Sequence, residues 1–255
     1  GRDHPGAAVQ PVGGDFTGGG YVASGDFGHT GRADFVVTPD QGGGPRVSIF
    51  GLAADGTVTT LANFFGITDP NFRGGARVAV GDVNGDGMPD LVVAAGFGGG
   101  PRVAIFDGNS LFGTPTKLVN DFFAFPGTDP VTLRNGVFVA VGDVDGDGFG
   151  DLIVGGGPGG GPRVFILSGA QVVAGNVAGA QAAPIANFFV AGNSTDRGGV
   201  RVAAKDLDGD GKADVAAGSG EGDASRVRVY LGKNLTGGGE PGRLQGIDRV
   251  GAVLR

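Results

Sequence analysis

The chain has 255 residues, of which 40% are hydrophobic, 57 are glycine and 14 are proline. Its formal net charge of −7 and its pI near 4.7 argue against nucleic acid and anionic membranes as partners. Cysteine is absent, which excludes disulfides and thiolate metal sites, and no apolar run approaches the roughly 18 residues needed for membrane insertion.

An acidic, glycine-rich loop followed by an apolar run and a glycine turn recurs about every sixty residues. The four copies span residues 25–47, 81–103, 142–164 and 205–227. Such self-similarity is typical of repeat architectures, in which one unit is too small to bury its own apolar face. We therefore treat residues 1–255 as a single domain with units at about 20–75, 76–136, 137–199 and 200–255. Residues 1–19 are expected to be the tail of a preceding repeat or a segment that closes a ring.

Each unit is predicted to contain four short strands. The first precedes the acidic loop, the second follows it, the third follows the glycine turn, and the fourth carries a pair of phenylalanines. Valine, isoleucine and phenylalanine dominate these runs, and Gly, Pro and Asp clusters bound them. No segment has a helical apolar stripe with recognisable caps. The fourth unit lacks the phenylalanine pair.

Four strands in each repeat of this length are typical of a blade of a β-propeller. The sequence therefore predicts an all-β fold, a β-propeller built of four repeats that are each a four-stranded blade. Blades packed face to face bury both sides of their sheets, which explains the near-continuous apolar runs. A β-sandwich is the alternative, but it gives no reason for the same loop chemistry to recur four times.

The acidic loops have the composition of calcium sites. Counted from the first aspartate, side-chain oxygens fall at positions 1, 3, 5 and 9, and position 7 is placed to offer a backbone carbonyl. Oxygen donors without His or Cys favour Ca²⁺ over zinc or copper. The predicted ligands are Asp82, Asn84, Asp86, Met88 and Asp90 in the second unit, Asp143, Asp145, Asp147, Phe149 and Asp151 in the third, and Asp206, Asp208, Asp210, Lys212 and Asp214 in the fourth.

Two other structures could explain these loops, an EF-hand and a metal-free turn. An EF-hand needs a bidentate Glu at position 12 and flanking helices, but this position holds Val93, Val154 or Ala217. A metal-free Asp/Gly turn is the remaining alternative, and three near-identical loops argue against it. We expect three calcium sites.

The loop of the first unit departs from the pattern. Asp26 and Asp34 remain, but Gly28 and Thr30 replace two ligands, and His29 lies between them. We expect this fourth site to be weak or absent, and His29 to be a solvated loop residue.

The acidic loops that lead into a strand, together with the Gly-Gly-Pro turn that follows in "FGGGPRV" at 97–103, resemble FG-GAP repeats of the VCBS-like, integrin α type. The resemblance covers roughly residues 20 to 235. It implies a β-propeller in which each loop binds calcium between the first two strands of a blade. Integrin-type propellers have seven blades, so four units either close a small ring or belong to a larger array. Small residues in the second strands favour the closed ring.

Function is predicted to be binding. The chain begins with Gly1 rather than Met, as expected if a signal peptide or upstream domains have been removed. The resemblance implies a secreted or cell-surface, calcium-stabilised module that recognises a protein or carbohydrate ligand on a cell surface or matrix, without catalysis. One alternative is the propeller domain of a polysaccharide lyase or hydrolase, and another is a structural spacer. The candidate acids and bases for an enzyme are His4, His29, Asp55, Asp107, Asp121, Asp129 and Asp196.

Two further features recur. An arginine begins the third strand of every unit, and we expect it to pair with a loop carboxylate or a neighbouring carbonyl rather than with an anionic ligand. The paired phenylalanines are expected to place at least one ring of each pair in the core. These residues are Arg46, Arg102, Arg163 and Arg226, and Phe64/Phe65, Phe122/Phe123 and Phe188/Phe189.

Overall fold

A computed structural model describes residues 14–127, 129–192, 194–222 and 225–244. Its first two sheets each have four antiparallel strands in sequence order. Blade 1 contains β1 (Gly20–Gly25), β2 (Asp34–Pro39), β3 (Arg46–Leu52) and β4 (Val58–Phe65). Blade 2 contains β5 (Ala76–Gly81), β6 (Asp90–Ala95), β7 (Arg102–Phe106) and β8 (Lys117–Phe123).

The third and fourth sheets continue the repeat. Blade 3 contains β9 (Val137–Gly142), β10 (Asp151–Gly156), β11 (Arg163–Leu167) and β12 (Ala186–Phe189). Blade 4 contains β13 (Val200–Lys205), β14 (Asp214–Ser219) and β15 (Val227–Tyr230). The all-β four-blade propeller predicted from the sequence is confirmed, and the strands fall within the predicted units. Of the segment 1–19, residues 1–13 lie outside the described residues.

The fourth blade differs from the prediction of four strands. Its sheet has three strands among the described residues, with a single further bridge between Tyr230 and Arg243. The next segment, β16 (Gly237–Gly238), instead pairs in parallel with β12 of blade 3. This unit lacks the apolar Phe-Phe run that forms the outer strand of the other blades, so little drives a fourth strand onto its edge.

Three short α-helices interrupt the all-β pattern of the described residues. They are α1 (Asp129–Thr132), α2 (Gly169–Val173) and α3 (Val177–Ala182). The side chains of Ser168 and Asn176 cap α2 and α3 by accepting hydrogen bonds from the backbone N–H groups of Gln171 and Gly179. Among the described residues, no helix is long and apolar enough to cross a membrane.

Adjacent blades pack face to face. The innermost strands lie in a row in which β1 packs on β5, β5 on β9 and β9 on β13. Successive residues of β6 therefore face different neighbours: Leu91 and Val93 belong to the core shared with blade 1, and Val92 and Ala94 to the core shared with blade 3. This explains why β6 and β10 are buried along their whole length.

The two ends of the row are not joined by equivalent packing. Among the described residues, β1 and β13 share no contact comparable to those between neighbouring inner strands. Alternate residues of β13, Arg201, Ala203 and Lys205, are exposed. Among the described residues, the ring favoured by the sequence analysis is therefore not closed between β1 and β13 by packing like that between the other inner strands.

Candidate metal sites in the blade loops

The three predicted metal loops occupy the same place in blades 2, 3 and 4. Each joins the innermost strand to the second strand, so all three lie at one end of the blades. Positions 4 and 6 of the loops are glycines with positive φ, for example +83° at Gly146 and +89° at Gly148. Glycine adopts this conformation without strain, and the tight turn directs side chains from positions 1, 3 and 5 towards one point.

The first aspartate organises each turn through backbone hydrogen bonds. In blade 3, Oδ1 of Asp143 accepts hydrogen bonds from the N–H groups of Gly146 (2.6 Å) and Asp147 (3.1 Å), and Oδ2 accepts one from Gly148 (2.9 Å). Asp82 and Asp206 make the corresponding bonds to the glycines of their own loops. The loop is therefore preformed by hydrogen bonds to its own first aspartate.

Two of the loops bring three carboxylates together. Oxygens of Asp143, Asp145 and Asp151 lie within 4.8 Å of one another in blade 3. Asp206, Asp208 and Asp210 form the same kind of cluster in blade 4. Partial desolvation of its exposed side chain by the surrounding loop, followed by the charge of its neighbour Asp147, raises the pKa of Asp145. Like charges this close disfavour the ionised loop unless a cation compensates them.

In blade 2, Asn84 replaces the second carboxylate. Its side-chain oxygen accepts a hydrogen bond from the N–H of Asp86 (3.0 Å), and its amide nitrogen donates to Oδ2 of Asp86 (3.1 Å). This loop presents fewer negative charges than the other two. The candidate metal ligands of the three loops are carboxylate oxygens, joined in blade 2 by the amide oxygen of Asn84. Calcium prefers oxygen ligands of this kind. The residues present therefore fit a calcium ion.

The position-9 aspartates have a second role that sequence reasoning missed. Asp90, Asp151 and Asp214 are at most 1% exposed. Oδ2 of Asp151 accepts a hydrogen bond from the N–H of Val144 (2.9 Å), and Oδ1 accepts one from Gly169 (3.0 Å), which follows the third strand. The carboxylate thus joins the metal loop to the turn after the third strand, at the same end of the blade.

The same link recurs in the other two blades. Asp90 accepts a hydrogen bond from the N–H of Gly108, and Asp214 accepts one from Gly232, both at 2.9 Å and both 18 residues further along the chain. A glycine at this fixed distance from each aspartate was the sequence signal that could have revealed the link. Burial raises the pKa of Asp151 to about 7 and that of Asp90 to about 6.

The position-7 residues were predicted to supply backbone carbonyls, and this remains a prediction. Their N–H groups donate to the position-5 carboxylates in every loop, as Phe149 does to Asp147 (2.9 Å). The side chain of Lys212 reaches the neighbouring blade, where Nζ donates to the carbonyl oxygen of Asp145 (2.7 Å). The N–H of Ala213 also donates to the carbonyl oxygen of Asp143 (2.6 Å), so the loops of blades 3 and 4 are in direct contact.

The loop of blade 1 is held by hydrogen bonds. The carboxylate of Asp26 accepts them from the N–H groups of Thr30 (2.8 Å) and Gly31 (2.7 Å). These backbone hydrogen bonds lower the pKa of Asp26. His29 is exposed and adopts a φ of +51° at the position where the other loops have glycine, and its Nε2 lies 3.3 Å from the carbonyl oxygen of Gly87.

Three of the recurring arginines bond side chains on the outer strands of their own blades: Arg46 contacts Asn63, Arg102 forms an ion pair with Asp121, and Arg163 donates from Nε to Asn187 (2.9 Å). Arg163 also forms an ion pair with Asp129 in the connection before β9. The expectation of a loop carboxylate or a neighbouring blade carbonyl therefore holds for Arg163 and was wrong for Arg46 and Arg102. The paired phenylalanines behave as predicted, since Phe188 lies in the core, and Phe64 and Phe122 pack against it.

A cavity of about 330 Å³ opens at the opposite end of blade 3 from its metal loop. Its lining combines glycines of the turn after β10 with aromatic and charged side chains. The guanidinium of Arg163 lies 5.0 Å from the centroids of the Phe125 and Phe165 rings, and its Nη1 bonds Oδ2 of Asp129 at 2.7 Å. Arg197 also lines the cavity.

Comparison with known proteins identifies the same repeat that the sequence shows. The model of the FG-GAP-like repeat family matches three overlapping segments, residues 26–93, 82–154 and 143–217. An exotype rhamnogalacturonan lyase, YesX, is similar in structure, with a TM-score of 0.50 and 16% identity over 82% of this chain and 44% of that chain. The rhamnogalacturonan lyase YesW has a TM-score of 0.43 and 17% identity over 80% of this chain and 41% of that chain. At 16% identity the likeness to YesX concerns the fold alone, and this chain spans less than half the length of either lyase. The three family matches together cover most of the sequence, and the chain belongs to the FG-GAP-like repeat family.

Proposed function

We propose that this chain is a calcium-stabilised binding module, secreted or displayed on a cell surface, that recognises a carbohydrate in its surroundings and catalyses no reaction. The two three-carboxylate clusters support the calcium part of this proposal, because each gathers negative charge that a divalent cation would neutralise. Calcium bound only by the folded state would add to its stability by mass action. Ion concentrations outside cells suit weak sites of this kind.

The ion pairs and hydrogen bonds of the acidic residues outside the metal loops support a non-catalytic role. The carboxylate of Asp121 bonds both Arg102 and Lys117, and that of Asp129 bonds Arg163. The side chain of Asp107 caps a single 3₁₀ turn. A general acid or base must reach the substrate proton, and groups held in this way are poorly placed to do so. His29 lies on the exposed surface beside the metal loops, far along the chain from the cavity lining.

The cavity of blade 3 carries the proposal of a carbohydrate ligand. Phe189 provides aromatic surface, Phe125 lies buried beneath Arg163, and the glycines of the turn allow close approach of a ligand to the backbone. Arg163 and Arg197 outnumber the single carboxylate of Asp129 in the lining. This combination suits a sugar bearing a carboxylate, because arginine offers paired donors to that group.

Calorimetric titration with acidic and neutral oligosaccharides, chosen from a glycan array, tests this proposal. We expect binding of acidic sugars, and a loss of at least about tenfold in affinity in Arg197→Ala, because one charge-assisted contact is removed. Arg73→Ala is the matched control, since Arg73 has the position of Arg197 at the end of the first unit, makes the same kind of bonds to backbone carbonyls and lies outside the cavity lining. Equal losses in both variants would contradict the assignment of the cavity.

The same samples distinguish binding from catalysis. A polysaccharide lyase would release unsaturated sugars that absorb ultraviolet light, and a hydrolase would release new reducing ends. We expect neither product after prolonged incubation with calcium. Release of either product would refute the non-catalytic assignment. Binding of a protein but of no glycan would show that the ligand is a protein.

A further inference from the structure

A lysine of blade 4 lies on the carboxylates of its own metal loop. Lys233 follows β15, directly after Gly232, whose N–H bonds Asp214. Its ammonium group contacts Oδ2 of Asp208 and lies 3.5 Å from Oδ2 of Asp210. Two of the three carboxylates that cluster in this loop therefore already have a cationic partner.

The same position in the other blades carries different chemistry. In blade 2 the residue after Gly108 is Asn109, and its amide donates to Oδ2 of Asp86 (2.8 Å). In blade 3 the residue after Gly169 is Ala170, whose methyl group has no hydrogen-bond donor. One structural position thus presents an amide, a methyl group or an ammonium ion to three otherwise similar loops.

Blade 3 keeps its carboxylates available. The nearest lysine, Lys212, donates to the backbone carbonyl of Asp145 rather than to a carboxylate. The cluster of Asp143, Asp145 and Asp151 has no lysine ion pair among the described residues. Its negative charge is compensated less than that of blade 4.

We infer that Lys233 is an internal competitor for calcium in blade 4, so that the loops of blades 3 and 4 bind calcium with different affinities. The inference rests on the calcium binding proposed above. To enter the blade 4 loop, a calcium ion must displace the ammonium group and then tolerate a positive charge nearby. The Lys233 side chain is 48% exposed, so it can swing away, but the displaced ion pair is lost.

The size of the effect follows from the strength of such pairs. An exposed lysine–carboxylate pair, together with the repulsion between two nearby cations, changes a binding constant by about tenfold. Blade 3 is therefore the tighter site and blade 4 the weaker one. A consequence is that the blade 4 loop is already compensated when calcium is scarce.

Calcium titrations of wild type and Lys233→Ala, measured by calorimetry and by competition with a chromophoric chelator, test the inference. We expect the weaker class of site to tighten about tenfold in Lys233→Ala. Arg226→Ala, which removes an exposed cation from the opposite end of the same blade, should leave every affinity unchanged. Asp145→Ala identifies the tighter class, because it should abolish that class alone.

A reciprocal variant tests the position rather than the residue. Ala170→Lys places an ammonium group beside the blade 3 loop, and we expect the tighter class to weaken about tenfold. Calcium binding that is the same in wild type, Lys233→Ala and Ala170→Lys would overturn the inference and leave calcium binding intact. Absence of any calcium binding in wild type would instead overturn the proposed function and this inference with it.

Discussion

Replacing Asp151 with alanine should destabilise the protein even when no calcium is present. The carboxylate is fully buried and accepts hydrogen bonds from the N–H groups of Val144 and Gly169, and alanine leaves both donors without this partner. A buried donor that loses its acceptor costs about 1–3 kcal/mol, so the two together cost roughly 2–6 kcal/mol. Burial also makes the ionised carboxylate unfavourable near neutral pH, so we expect a value in the lower half of that range, about 2–4 kcal/mol.

Denaturant unfolding in EDTA and in excess calcium separates this structural role from metal binding. Asp145→Ala is the control, because Asp145 belongs to the same carboxylate cluster but is exposed. We expect Asp145→Ala to match wild type in EDTA within about 0.5 kcal/mol, and to lose most of the stabilisation by calcium at this loop. Asp151→Ala should have a lower free energy of unfolding than wild type both in EDTA and in excess calcium. If Asp151→Ala matched wild type in EDTA, the structural role of this aspartate would be refuted.

Three other measurements bear on the same loops. Burial raises the pKa of Asp90 to about 6 and that of Asp151 to about 7, so the folded metal-free state binds more protons than the unfolded state. Thermal melting in EDTA should therefore show stability that is highest near pH ~4 and declines as the pH rises through ~7. A flat profile would contradict this. Gly169→Ala should lower the free energy of unfolding by more than about 2 kcal/mol, since a Cβ there would overlap the carbonyl oxygen of Gly150, and unchanged denaturant midpoints would contradict the close approach. His29→Gly should stabilise the protein by up to about 1 kcal/mol, because φ at this position is +51°, and a destabilised variant would show that the imidazole contributes more than its backbone strain costs.

The repeat made most of the fold predictable, because four copies of one pattern constrain each other. Near-continuous apolar runs such as 91–95 were predicted to be buried on both faces, and β6 confirms this. The helices α2 and α3 were missed, since five or six residues are too few to show a helical period. Their capping residues, Ser168 and Asn176, were the available signal.

The candidate metal sites were predictable only in part. Ligand spacing within a loop is local, so the gathering of Asp143, Asp145 and Asp151 could be expected from their order alone. The contact of Lys233 with Asp208 could not, because it depends on where the third strand of a blade ends relative to the loop after the first. The same holds for the link between Asp151 and Gly169.

The order of strands in a blade separates the two kinds of chemistry in this molecule. In an antiparallel sheet of consecutive strands, the loop after the first strand and the turn after the second lie at opposite ends. The carboxylates of the metal loops are thus at one end of blade 3, whereas Arg163 and the cavity are at the other. Strand β10 runs between them, from the buried Asp151 to Gly156 in the cavity lining. On the proposal made here, calcium would act on the ligand site by holding this strand in place rather than by touching the ligand.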